Sequence, residues 1–314
     1  MSFDFSLVSA PFRMQPGLRR IPDGAPQLTP SRLGGRHLRE KMAVLAAFAD
    51  EALVAAPGFD ATAAMRAIAA EAPAAFLIDE TGCRAPLLGW SVENGDARAA
   101  SDGRLPSDSD PAIGALLRAL PLALRPTALL CLAFEEDFAV IDGASATIPW
   151  LAVCLPSHWA PASKVGRHFA EVHGPVADNA VLLAASDTLS RLVTDGSRWE
   201  RFVWTLAPDP HLHQHPARGR TPWAEGHGDE VAAQATFRSE RQTFIPVSQT
   251  RQAVFTIRVQ TTPLREAAAL PEAAARLHAA LASMSAAVLA YKGLDAVQPA
   301  LLGWLAARAR LHAG

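Results

Sequence analysis

The sequence predicts an α+β fold, an antiparallel sheet with helices gathered around it. Three patterns carry that reading. In the run Arg251–Thr262, Val254, Thr256 and Arg258 fall on one face and Phe255, Ile257 and Val259 on the other, which is the period of a strand. Asp142-Gly143 separates two apolar runs, Leu129–Ile141 and Ala146–Leu155, in the manner of a hairpin turn. From His37 to Ala56, the residues Leu38, Met42, Leu45, Phe48 and Leu53 recur at helical steps, giving one buried face.

The elements follow in order. Residues 1–35 carry Pro11, Pro16, Gly17, Pro22 and Pro26 and predict an extended arm rather than a helix. The helix His37–Ala56 stops at Pro57-Gly58, and a second, Ala61–Ala72, stops at Pro73. Ala74–Ile78 and Leu87–Val92 read as short strands. Pro111–Leu120 reads as a helix with proline in its first turn. Leu129–Ile141 is expected to be one long strand containing the polar patch Glu135-Glu136-Asp137, paired with Ala146–Leu155. Helices are expected over Pro161–Val172 and Val181–Trp199, then a strand over Glu200–Leu206. Ala207–Gly228 is rich in proline, glycine and histidine, and a loop of that length is functional by default. Strands Ala233–Phe244 and Arg251–Thr262 follow, then helices Leu270–Ala290 and Pro299–His312. The 314 residues are expected to form a single domain: an arm and helical region over 1–125, a sheet core over 126–265 and closing helices over 266–314.

Composition narrows the function. Half of the residues are hydrophobic and the formal net charge is −2, so no basic face for nucleic acid is expected. Seven Trp and one Tyr (Tyr291) are too few for a base-stacking platform. Cys83, Cys131 and Cys154 form no C-x-x-C pair and are odd in number, which suits a reducing compartment. The N-terminus lacks a basic region before its apolar stretch, and no run of eighteen apolar residues occurs. A cytoplasmic, bacterial protein without membrane contact is the expectation. P-loop, G-x-G-x-x-G, G-x-S-x-G and H-E-x-x-H motifs are absent.

The segment Leu155–Val176, LPSHWAPASKVGRHFAEVHGPV, concentrates the chemistry. It holds His158, His168 and His173 beside Lys164 and Arg167. A neutral imidazole is the commonest protein ligand for metals, haem iron included, and a nearby cation can hold a propionate. Other readings stand beside these. His173 is equally a helix-end histidine bonding the last carbonyls. Lys164 and Arg167 also fit a solvated helix face. Ser157, His158 and Glu171 contain the ingredients of a hydrolytic triad and nothing more. His211, His213 and His215 have ligand-like spacing, but three prolines around them favour a polar loop. On the strand around Arg238-Ser239-Glu240-Arg241, the residues Arg238, Glu240 and Gln242 share one face and Arg241 the other. Buried charges there need partners: one another, a propionate or a substrate amine.

In order and spacing, PFRMQPGL from Pro11, FEEDFAVI, the P-S-x-W element Pro156–Trp159, the K-x-G-R step Lys164–Arg167, Val172-His173-Gly174-Pro175-Val176, RSERQTF, AVFTIRV and YKGL at Tyr291 resemble the alpha subunit of the haem-dependent oxidative N-demethylases. The resemblance implies a PAS-like sheet core with surrounding helices and an N-terminal helical extension. It implies haem b, with His173 as the iron's ligand and Lys164, Arg167, Arg201 and Arg241 around the cofactor. Glu240 and Arg238 become the catalytic candidates, with Glu240 facing a protonated amine. The implied reaction is oxygen-using removal of a methyl group from a small methylamine, releasing formaldehyde. Electrons would come from a partner reductase with flavin and iron–sulfur modules. Arg201-Phe202-Val203-Trp204 departs from the family's R-x-N-W element by a valine, which bears on the substrate. Two other classes fit a PAS-like core: a haem-based or small-ligand sensor, and a haem-free scaffold subunit.

Overall fold

A computed structural model describes residues 3–99 and 110–310. The fold is α+β, and every strand pairing in it is antiparallel. The arm runs largely extended, and only its short strand β1 (Arg19–Arg20) joins a sheet. Helix α1 (Arg36–Ala52) leads into β2 (Leu53–Ala55), and α2 (Thr62–Glu71) follows. The strands β3 (Leu77–Ile78), β4 (Gly82–Ala85), β5 (Trp90–Glu93) and β6 (Asp96–Ala99) make a small sheet of their own. Helices α3 (Pro111–Ala119) and α4 (Arg125–Ala133) precede the hairpin β7 (Asp137–Asp142) and β8 (Thr147–Ala152). Short helices α5 (Phe169–His173), α6 (Ala180–Ala184) and α7 (Ser186–Val193) lead to β9 (Trp199–Ala207). After the long loop come α8 (Gly228–Gln234), β10 (Thr236–Val247) and β11 (Gln252–Pro263). Helices α9 (Leu264–Ala267), α10 (Pro271–Ala282), α11 (Ala286–Lys292) and α12 (Gln298–Arg310) close the chain. The main sheet has the order β1-β9-β10-β11-β7-β8-β2.

Four expectations are corrected. The predicted strand Leu129–Ile141 is a helix followed by a strand. Pro126 sits in the first turn of α4, and Ala128–Ala133 is buried on all sides. An apolar run buried all round shows no period, so helix and strand are indistinguishable in it. The predicted helix Pro161–Val172 is a single 3-10 turn at Pro161–Ser163, an extended link and then α5. Gly166, at φ +73°, breaks it, and His168 bridges to Thr147 instead. Leu270–Ala290 is two helices bent by 112°, because the Ser285 hydroxyl caps a new start by accepting from Val288 N at 3.1 Å. Val181–Trp199 likewise ends at Val193, and Trp199 already belongs to β9. The end expected at His312 lies outside the described residues.

The hairpin turn formed as predicted. The Asp142 carboxylate accepts from Ala144 N at 2.9 Å and Ser145 N at 3.0 Å. Gly143 is required there, since a Cβ would lie 1.9 Å from Thr194 Oγ1.

Two large clusters make up most of the core, with two smaller ones around Leu151 and Phe244. Of the large ones, one packs α1 to α4 and the small sheet against the main sheet, around Phe76, Phe134, Phe138 and Trp150. The other packs α8 to α12 around Trp204, Leu206 and Phe237. Within the first, Lys41 is fully buried with Nζ 3.1 Å from Asp137 Oδ1. Burial pushes the Lys41 ammonium down, but the Asp137 carboxylate together with Cys131 and Cys154 outweighs it and the net shift is upward. The free side of the main sheet is left to line a cavity. Among the described residues, no single helix is long and apolar enough to cross a membrane.

Candidate functional site

One cavity of about 940 Å³ lies against the main sheet, near the upper end of the usual range for ligand sites. Strand alternation divides its wall. The strands β7, β8 and β11 offer Ala139, Ile141, Leu151, Phe255 and Ile257. The strands β9 and β10 offer Arg201, Val203, Arg238, Glu240 and Gln242. The pairs Glu240–Val203 and Gln242–Arg201 face one another across the β9–β10 ladder. An apolar slot therefore adjoins a charged one on the same sheet face.

His173 closes the apolar side from the end of α5. Its Nδ1–H donates to the Phe169 carbonyl at 2.8 Å, because a carbonyl can only accept. Its ring lies 4.1 Å from the Phe169 ring, one helical turn back. Burial is the main cause that lowers the imidazole to about 4, with the Arg201 and Lys164 charges adding to it. The ring is therefore neutral at ordinary pH, and its proton sits on Nδ1. That leaves the Nε2 lone pair without a hydrogen-bond partner among the described residues. A pinned Nδ1–H and a bare Nε2 are what a metal-ligating histidine needs. The helix-end reading of His173 holds as well: it bonds a carbonyl of its own helix, and that bond orients the ring.

Arg201 lines the same cavity, and its Nε is buried with no partner. A buried guanidinium without an acceptor is costly, so the site asks for an anion. Lys164 lines the cavity too and donates from Nζ to the Val172 carbonyl at 3.0 Å. Neutral imidazole, orphaned guanidinium, lysine and an apolar slot together fit an iron porphyrin bearing propionates.

On the charged side Glu240 is held at both oxygens. Ser157 Oγ donates to Oε1, and Gln242 Nε2 donates to Oε2 at 2.7 Å. Ser157 in turn accepts from Arg238 Nε at 2.9 Å and from Nη2 at 2.7 Å. With both lone pairs taken, the one Ser157 proton can only point at Glu240. Arg238 is 2% exposed and donates also to the His211 and Leu212 carbonyls. Most of its donors are spent on protein acceptors, so it positions Ser157.

The remaining sequence candidates lie elsewhere. Arg241 points to the opposite face of β10, as strand period requires, and pairs with Glu200 at 2.8 Å. Arg167 is largely exposed, pairs with Glu171 at 3.5 Å and does not line the cavity. His168 caps α5 and faces Asp187. Glu171 faces solvent with Arg167, so the triad ingredients are not assembled. His213 bonds the Cys154 carbonyl and His211 bonds Asp209, which leaves the loop without a metal cluster among the described residues.

Two cavity residues escaped the sequence reading. Tyr291 and Lys292 end α11 and line the charged side. Burial lowers Lys292 to about 8, with Glu240 opposing, and its Nζ donates to the Trp204 carbonyl at 2.9 Å. Their signal was the YKGL segment, which holds the chain's one tyrosine. His158 and Trp159 line the wall as well, and His158 adopts φ +62°, a left-handed backbone uncommon outside glycine.

Fold and cavity define a class: an α+β protein with a deep pocket that offers a neutral histidine beside buried cations. The family model of the haem-dependent oxidative N-demethylase, alpha subunit-like, matches residues 115–302, more than half of the chain. The chain belongs to that family. The match spans β7 to α11, which includes His173, Arg201, Glu240 and Lys292.

Proposed function

We propose that this chain is a haem-dependent, oxygen-using N-demethylase subunit acting on a small methylated amine. The observation that carries it is the His173 ring, neutral, pinned at Nδ1 and bare at Nε2 on the wall of a cavity large enough for a cofactor. On this reading the curled main sheet is a PAS-like core. His173 holds the iron of haem b, and Arg201 and Lys164 take the propionates. The haem, when bound, supplies the oxygen-activating iron for methyl oxidation and formaldehyde release.

The protein's own part is binding and orientation. Glu240 accepts an N–H of the protonated amine with the oxygen lone pairs that Ser157 and Gln242 leave free. A carboxylate fixed by two donors holds that ammonium in one place, so the methyl group is presented in one direction. The apolar wall of Ile257 and Phe255 excludes water from the methyl. The chain has no dinucleotide fingerprint and only three scattered cysteines, so a flavin and iron–sulfur reductase supplies the electrons.

The test is spectroscopic. Protein produced with a haem precursor is expected to show a Soret band that His173→Ala shifts or abolishes. A band left unchanged by the substitution removes His173 from the iron. No band at all favours the haem-free scaffold, and a band indifferent to every methylamine favours the sensor.

A further inference from the structure

The cavity that holds Glu240 has the wrong charge for a simple ammonium ion. Eight arginines and lysines line it against two carboxylates, Asp209 and Glu240. The chain as a whole is net −2, so this excess is local. Arg238 is spent on Ser157 and backbone carbonyls, and Arg19 pairs with Glu200 at 2.8 Å. The haem reading leaves Arg201 and Lys164 to the propionates. Lys292 donates to the Trp204 carbonyl, which leaves Arg13, Arg218 and Arg220 without a partner among the described residues, and Arg220 is the one placed against the end of α11.

Arg220 sits on the loop between β9 and α8, exposed at the cavity wall. It makes no ion pair or hydrogen bond among the described residues. Its Nη1 reaches to 3.2 Å from where a Cβ of Gly293 would be, next to Tyr291 and Lys292. Burial raises the Tyr291 phenol; Glu240 adds to that and Arg220 opposes it, so both charges act on one hydroxyl. A fixed carboxylate and a free guanidinium thus share the cavity wall with Tyr291. A field of this sign repels a lone cation and draws in a molecule that carries an anion.

We infer that the substrate is an N-methylated amine that also bears a carboxylate, with its ammonium on Glu240 and its carboxylate on Arg220. This rests on the N-demethylase reading and narrows its substrate class. Guanidinium and carboxylate pair through two parallel hydrogen bonds, which fixes the second end of the ligand. Val203, directly across from Glu240, gives the methyl group an apolar neighbour between the two charged contacts.

The experiment titrates haem-loaded protein with N-methylglycine and, separately, with dimethylamine, following the Soret band. N-methylglycine is expected to bind tighter by roughly tenfold or more, the size of one charge-assisted contact. Arg220→Gln is expected to remove that advantage and leave dimethylamine binding unchanged, with Arg220→Lys restoring part of it. Tighter binding of dimethylamine, or an Arg220→Gln variant that still prefers N-methylglycine, overturns the inference and leaves the N-demethylase reading standing. A Soret band that neither amine perturbs overturns both.

Discussion

Replacing Ser157 by alanine tests the charged half of the cavity most directly. The hydroxyl makes three contacts: it accepts at 2.9 and 2.7 Å from Arg238 and donates to Glu240. Alanine removes all three. Arg238 keeps the His211 and Leu212 carbonyls as acceptors, so its charge is not stranded. Hydrogen bonds to charged groups contribute about 1.5–3 kcal/mol each, and the retained partners bring the stability loss to about 2–3 kcal/mol. For a chain of this size that is a fall in Tm of roughly 3–5 °C. The functional effect is separate. Glu240 keeps only Gln242 and is free to rotate, so amine affinity is expected to fall about 5- to 30-fold, or about 1–2 kcal/mol. Thermal melting measures the first, and amine titration of the Soret band the second. Ser157→Thr retains the hydroxyl and is expected to recover affinity even where it does not recover Tm. If Ser157→Ala binds amine as wild type does while Tm falls, the serine is only a structural tie and the positioning argument fails.

The other predictions come from burial and charge. The ordinary His173 value of 6.5 drops to about 4 in the fold, so the unfolded chain takes up this proton first as pH falls. Stability of haem-free protein is therefore full above 6.5 and declines as pH falls to about 4, and His173→Phe is expected to flatten that slope in urea midpoints. Lys41→Met leaves the buried Asp137 carboxylate with only the Leu155 N–H at 2.6 Å, so a loss of about 3–5 kcal/mol is expected in urea titration. Arg167→Ala removes only an exposed pair with Glu171. It should change stability by less than about 0.5 kcal/mol and leave the Soret band untouched, in contrast to Arg201→Ala.

Strand period was the most legible signal. It placed Arg238, Glu240 and Gln242 on one face and Arg241 on the other, and the β9–β10 ladder keeps that division. The turn at Asp142-Gly143 was equally local, since both its hydrogen bonds are made within three residues. Helix α4 was illegible for the opposite reason: Leu129–Ala133 is buried on every side, so no polar face marks its period. Arg167 sits in an extended link beyond Gly166 and is exposed, as the solvated reading had it, which its place in the K-x-G-R step does not report. Ser157 was noticed only as a triad ingredient. Its partners Arg238 and Glu240 lie more than eighty residues away, which no local pattern reports.

The division of the cavity follows from which strands carry charge. On β10 every second residue from Arg238 to Gln242 is polar, while Phe255 and Ile257 occupy the matching face of β11. One sheet face therefore changes from charged to apolar within a single strand spacing of roughly 5 Å. That step has a mechanical consequence. On the proposed function, the flat apolar body of the cofactor lies toward β11, β7 and β8, and the charged substrate toward β9 and β10. On that reading the two meet at the boundary, where Gln242 and Ile257 pair across the strands. Chemistry between them needs no moving part, only a boundary that stays fixed. The ties that fix it are backbone pairing and the Arg238–Ser157–Glu240 chain, which anchors the segment after β8 to the middle of β10.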